Sequence, residues 1–349
     1  MKRTVYLGVS LFLTLILAVS ALPGFAQEKQ PAAKTRPEYD AYLALFNEKD
    51  PAKKAALGEK FITDFSQSEF IPNSHTMIIG AYTNAQNWAK VIEAADRAAA
   101  LPGAENKLKA YGYANAMVAA QNMNNVDKVI SYGEKVLAID PNDLNTMITL
   151  SAVIPAKLPA DGPAKKAALD KASDLATKAL AGIAPMLAKA DAQSKPQFLQ
   201  IEGNLHATLG LIAYDRPDYK KSIEEYDLAI KNTPKDDVAH FYLALDYQAL
   251  AAQASRDYQA ALAAENDAKA ARAEQPAIDE LAAKRGGLEE DIRKARDKAI
   301  DELAIAVAIG GPVLSQGKDA LTKLWMAKNN DSTEGMDAFI EDKKKQLSP

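Results

Sequence analysis

Beyond a polar stretch ending near Arg36, apolar residues recur three and four positions apart in windows of about 12–16 residues, with short breaks between them. That period predicts α-helix in every window. The abundance of alanine, the best helix former, and the scarcity of aromatic residues (7%) point the same way.

The windows come in pairs. The clearest pair runs from His206 to Pro234, with Leu209-Gly210, Ala213, Ser222, Tyr226, Ala229 and Pro234 as its fixed points. Gly210 lets the first helix lie close to the second, while Ser222 and Ala229 are small where the second returns past the first. Leu209 and Tyr226 fill the space between the two helices, and Pro234 stops the second. Another pair, Tyr113 to Pro141, has Val126 to Ile139 as its second helix and closes on Asp140-Pro141-Asn142. A third, Thr76 to about Gly103, puts Ile79-Gly80 in the place of Leu209-Gly210 and Trp88 before its second helix. An earlier pair begins near Tyr39, with Ala52 to Phe65 as second helix and no closing proline. Two more carry insertions. Leu144 to Leu158 is parted by Pro159 to Pro163 from a second helix at Ala164 to Ala184. The last pair opens at Asp237 with Phe241, Leu243, Ala244 and Tyr247, and closes far downstream at Ala299, Leu303, Ala306 and Gly310-Gly311-Pro312.

That last insertion is the most informative. Leu250 to Glu274 is alanine with scattered charges and holds no Gly or Pro; Pro276 breaks it, and Ile278 to Ile309 resumes with Leu281, Leu288, Ile292, Ala295, Ala299 and Leu303 on one face. Both helices of the pair are expected to lengthen into a projecting antiparallel hairpin, and about 24 extra residues per arm would reach roughly 36 Å. Gly286-Gly287 is expected to kink or fray the returning arm. Lys318 to Lys328 and Thr333 to Leu347 are charged on one side, as the polar cap of a stack should be.

The recurring order of bulky residue, Leu-Gly, small residue, aromatic, alanine and terminal proline resembles the tetratricopeptide repeat signature, in two well-matched and four degenerate copies. The end of the earliest second helix, Phe61 to Ser68, is also similar to repeats of bacterial envelope proteins of the outer-membrane-assembly type. The resemblance implies an all-α, tetratricopeptide-like α-solenoid of helix-turn-helix repeats that binds proteins and has no catalytic machinery. It further implies a right-handed superhelix whose inner face is lined by first helices. The residues then expected to line that groove are Met77, Ala81 and Asn84; Ala114, Val118 and Gln121; Ala207, Leu211 and Tyr214; and Phe241, Leu245 and Gln248. Such a groove is apolar and rich in amides, and it lacks the Lys/Arg/Asn set with which some family members clamp a peptide carboxylate. It suits an extended or helical segment held by apolar contact and by Asn/Gln bonds to its backbone.

The N-terminus adds an address. Lys2 and Arg3 precede an apolar run from Val5 to Leu22, then Pro23-Gly24 and the small-residue site Gly24-Phe25-Ala26. Residues 1–26 are thus expected to be a signal peptide cleaved after Ala26, giving a periplasmic or secreted protein; retention as a membrane anchor is the alternative. Residues 27–36 form a flexible lead-in, 37–312 a solenoid of about six repeats with the hairpin at 250–298, and 313–349 the capping helices. The hairpin is a second contact surface or the candidate site of a homodimer.

Composition narrows the chemistry. With 48% hydrophobic and 25% charged residues, a net charge of −4 and no basic stripe, nucleic acid and anionic membranes are poor partners. The chain has no cysteine and only three histidines, so thiol catalysis and Cys-ligated zinc are excluded. His206 and His240 lie one repeat apart and invite a two-histidine metal site. No nearby carboxylate completes a ligand set, so both are expected simply to fill the bulky place that opens the signature. Gly310-Gly311-Pro312 ends a helix, and Glu289-Glu290 and Lys343-Lys344-Lys345 are expected to be solvated faces. No cofactor and no metal are expected.

Overall fold

The computed structural model describes residues 31–347. The expected signal peptide, residues 1–26, and residues 27–30 of the lead-in lie outside them. The elements in chain order are α1 (Arg36–Asn47), α2 (Pro51–Asp64), α3 (Ile71–Asn84), α4 (Trp88–Ala99), α5 (Asn106–Asn122), α6 (Val126–Ile139) and α7 (Leu144–Val153). A 3₁₀ turn, Ile154–Lys157, follows, then α8 (Pro163–Lys189), α9 (Lys195–Asp215), α10 (Tyr219–Asn232), α11 (Asp237–Ala270), α12 (Gln275–Ile309), α13 (Leu314–Lys328) and α14 (Met336–Gln346). Among the described residues there is no strand, and the fold is all-α, built of successive antiparallel helix pairs. The chain divides into two compact units, residues 31–168 and 169–347, with the boundary inside α8.

Within the first unit each helix from α1 to α7 packs on the next, and first helices also touch (α1 on α3, α3 on α5). The local chemistry that starts the second helices is the same each time. Asp50, Asn87 and Asn125 cap α2, α4 and α6 by accepting from the backbone N–H of Lys53 (2.8 Å), Lys90 (3.4 Å) and Lys128 (3.1 Å). The turns before α4 and α6 close alike, with Asn87 N–H on Tyr82 O and Asn125 N–H on Ala120 O, both at 2.9 Å. Gln86 (φ 54°) and Asn124 (φ 52°) hold the left-handed conformation that this closure needs.

Close packing depends on the eighth residue of each second helix. Gly58 of α2 leaves room for Ile78 of α3, and Gly133 of α6 for Leu150 of α7, whose side chain would lie 2.7 Å from an added Cβ. In α4 the place is held by Ala95, and there the next first helix yields instead: a Cβ on Gly112 would stand 3.4 Å from Ala95 O. The core between them is Ile78, Ile79, Val91, Ala94, Ala98, Met117 and Val129, all buried.

In the second unit α9, α10, α11 and α12 follow one another, and α13 and α14 both pack on α12. Asp218 caps α10 through Lys221 N–H at 3.2 Å, the same cap as before. Here the eighth residue is the large Tyr226, and Gly210 of α9 makes the room: its missing Cβ would be 2.9 Å from the tyrosine ring. The end of the unit is closed by Leu321, Met336, Trp325 and Phe339 against Ala304 and Leu303. Lys328 to Asp297 (2.9 Å) and Lys343 to Asp301 add ion pairs from the two last helices to α12.

The long arms are present. Between residues 251 and 298 only Ala261 and Glu265 are buried among the described residues, so α11 and α12 here cover little beyond each other. Glu265 joins the arms through Arg285 (2.7 Å) and also holds Lys269 (2.5 Å). Two expectations are corrected. Helix α12 runs unbroken through Gly286-Gly287, because a loss of about 1 kcal/mol per glycine is outweighed by the cooperativity of a helix paired along its length. Helix α8 runs past Ala184 and through Pro185 to Lys189; Ala181, whose carbonyl loses its donor there, is exposed and can bond water instead.

One buried network ties α10 to α11. Ser222 Oγ lies 2.8 Å from Gly210 O and 2.6 Å from Asp246 Oδ2, and a hydroxyl has one proton for two acceptors. The chain is satisfied when Asp246 is the neutral acid, donating to Ser222, which donates to Gly210 O. Asp246 is wholly buried and its Oδ1 has no partner. Burial pushes its pKa up to about 7 against the pull of the Ser222 bond.

Gly133→Ala should lower thermal stability by about 1–3 kcal/mol, since Leu150 is fully buried and cannot yield. Gly286→Ala with Gly287→Ala should raise it by up to about 1 kcal/mol each, since nothing lies within 4 Å of either site. Melting curves followed by circular dichroism separate these opposite signs. For Asp246, the folded pKa lies above the unfolded one, so its stabilisation is complete below about pH 4 and is lost as pH rises to about 7. Asp246→Asn should therefore gain stability over the parent at pH 8 and keep no advantage at pH 4, in denaturant titrations at the two pH values.

Candidate partner-binding face

In the second unit α9 and α11 lie side by side, and their exposed sides meet through aromatic rings. Tyr214 of α9 stands edge-on to Tyr242 of α11 (6.2 Å between centroids) and to Tyr219 at the start of α10 (5.8 Å). Tyr242 in turn stacks on Tyr226 at 6.0 Å and meets Phe241 at 5.7 Å. Burial, and then the nearby Asp215 carboxylate, pushes the Tyr242 phenol above its usual range, so it stays a neutral donor. Leu211, Tyr214, Leu245 and Gln248 are half-buried and leave part of their surface free. Ala207 and Phe241 are more committed, Ala207 to the cluster around Tyr226 and Phe241 to the cluster around Leu321.

In the first unit the corresponding sides belong to α3 and α5. Asn84 is exposed, and Ala114, Val118 and Gln121 are half-buried. Ala81 is 2% exposed and has no surface to offer, because it follows Ile78 by one turn and shares its inward side. Met77 packs partly on the cluster of Leu45, Phe61 and Phe70. A polar thread crosses this face: Thr83 Oγ1 donates to Asn115 Oδ1 at 3.1 Å, and Asn115 Nδ2 donates to Tyr111 O at 2.9 Å. Tyr111 itself is 37% exposed.

Tyr242, Tyr219, Asn115 and Tyr111 were not among the groove residues expected from the sequence. The repeat period pairs Leu211 with Leu245 and Tyr214 with Gln248, but equivalent residues are not nearest neighbours. The ring that Tyr214 meets on α11 is Tyr242.

The histidines have carboxylates after all, supplied by the following second helix and so distant in sequence. His206 Nδ1 is 2.8 Å from Glu225 Oε2, and His240 Nδ1 is 2.6 Å from Glu302 Oε2. The two pairs correspond, since Glu225 precedes Tyr226 and Glu302 precedes Leu303. Burial would raise the Glu225 pKa, but bonds from His206 and Lys221 outweigh it and hold the carboxyl below its usual range. His240 also has Pro234 O 3.2 Å from Nε2, so an acceptor faces each ring nitrogen and neither is open to a metal. Among the described residues no group of three or more His, Cys, Asp or Glu side chains could hold a metal ion.

No family model matches the chain, and no curated protein does either. Among solved structures it is similar to a tetratricopeptide repeat protein from Parabacteroides merdae, at 12% identity over 82% of this chain and 96% of the other, with a TM-score of 0.41. It is also similar to the human IFIT1 dimer with m7Gppp-AAAA, at 12% identity over 88% of this chain and 66% of the other (TM-score 0.34). A further likeness is to the Cut9-Hcn1 hetero-tetramer of the APC/C, at 14% identity over 80% of this chain and 54% of the other (TM-score 0.25).

Proposed function

We propose that this chain is an exported, non-enzymatic scaffold of the bacterial envelope that holds a protein or peptide segment against the sides of its first helices. The observation that carries this is the run of half-buried rings Tyr219, Tyr214, Tyr242 and Phe241, bordered by Leu211, Leu245 and Gln248. Rings locked by their neighbours offer large contact area at little cost in conformational entropy, and phenol and amide groups at the border can bond a partner's backbone. Val118, Gln121, Asn84 and Tyr111 give the first unit a smaller face of the same character. Export rests on Lys2, Arg3 and the apolar run from Val5 to Leu22. No helix among the described residues is long and apolar enough to cross a membrane, so an anchored form would depend on the leader itself.

The binding face is tested by crosslinking in the native envelope and recovery of the partner with the purified protein. Leu211→Glu and Tyr214→Ala should each cut recovery about tenfold or more with the circular dichroism spectrum unchanged. Undiminished recovery would refute the face. The mass of the protein taken from its native envelope decides the address: a chain starting at Gln27 means cleavage, and one starting at Met1 means a retained anchor.

A further inference from the structure

Where the hairpin leaves its repeat, α10, α11 and α12 border an open cavity of about 430 Å³ that shares no residue with the Tyr214 face. Its floor is apolar, made by Tyr247, Leu250 and Ala254 of α11 and by Leu288 and Ala295 of α12. Its ends are oppositely charged. Because α12 returns antiparallel to α11, Lys298 sits beside Tyr247 at the base, its Nζ 5.5 Å from the ring centroid. Lys220 of α10 joins it on that side, Lys294 lies between, three residues from Asp291, and Asp257 and Asp291 stand further out along the arms. From Lys298 to Asp291 is seven residues of helix, or roughly 10 Å along the axis.

These charges are largely unspent. Among the described residues no ion pair joins Lys220 or Lys298 to a carboxylate, or Asp257 or Asp291 to a cation, whereas Glu265, Arg285 and Arg293 on the same arms are paired. Lys294 has only a long contact of 3.4 Å with Glu290. Asp227 feels the field of Lys298 without touching it. Cations at one end, carboxylates at the other and an apolar floor between them form a trough with a direction.

We infer that this cavity binds a short, extended zwitterionic peptide of about three residues, its carboxylate at Lys220 and Lys298 and its ammonium at Asp257 and Asp291. The length follows from the chain: three extended residues span roughly 10 Å. The volume falls in the range of small-molecule sites, roughly 300–1,000 Å³. Apolar side chains of the peptide would lie on Leu250, Ala254, Leu288 and Ala295. A purely apolar acid would fill the floor but leave Asp257 and Asp291 facing its tail, and a simple anion would use neither floor nor acids.

The test is calorimetric titration of the whole protein with alanyl-leucyl-alanine, its N-acetyl form and its C-terminal amide. The free peptide should bind with Kd of about 0.1–1 mM at low salt, and each blocked form about fivefold more weakly. In Lys298→Gln the amide should lose its disadvantage, and in Asp291→Asn the N-acetyl form should; both side chains are solvent-exposed, so the fold is retained. Ala254→Trp should fill the floor and abolish binding of all three. The inference is overturned if the free peptide gives no heat up to about 10 mM, or if the blocked peptides bind as well as the free one. Leu211→Glu with Tyr214→Ala should leave this binding intact, so failure at either place is separable from failure at the other.

Discussion

Two helices can share a close boundary only if one of them gives way, and here the concession falls at a single recurring place. Where the eighth residue of a second helix is glycine, as at 58 and 133, a branched side chain of the next first helix enters. Where it is alanine, at 95, Gly112 yields, and where it is the bulky Tyr226, Gly210 of its own pair yields. Volume is thus conserved across the contact while the identity of the residues changes. The close approach of each second helix to its neighbours depends on it.

Much of this could be read from the residues alone. The two well-formed pairs, the hairpin and the terminal helices stand close to where the 3.6-residue pattern put them, because amphipathic periodicity and proline or glycine stops are local properties. The caps are local as well: Asp50, Asn87, Asn125 and Asp218 each precede a lysine by three residues and each cap a second helix. What local pattern does not contain is lateral offset. Tyr242 beside Tyr214, Glu225 beside His206 and Glu302 beside His240 join residues whose proximity depends on how far neighbouring helices slide past one another. Ala81 differs for a related reason, since half a turn of rotation about the helix axis separates an inward methyl from an outward one.

Polar groups inside the second unit do a different kind of work from the apolar core. Ser222, Asp246 and the Gly210 carbonyl, together with the two imidazole–carboxylate pairs, join neighbouring helices through contacts with defined partners and directions. Alanine-rich seams slide easily, because many registers bury similar area. A buried acid that can reach only one hydroxyl, or an imidazole between a carboxylate and a carbonyl, fixes a single register.

The tip of the hairpin closes as the short turns do. Ala273 N–H meets Ala268 O at 2.9 Å with Arg272 at φ 55°, matching Asn125 on Ala120 with Asn124 at φ 52°. The outermost bend is therefore an ordinary repeat turn carried outward on two struts. Adding or removing the same whole number of helical turns from both struts would alter how far that bend reaches and leave its foundation as it was. In such a molecule span becomes a quantity that descent can adjust like the length of a ruler, independently of whatever the repeats themselves hold.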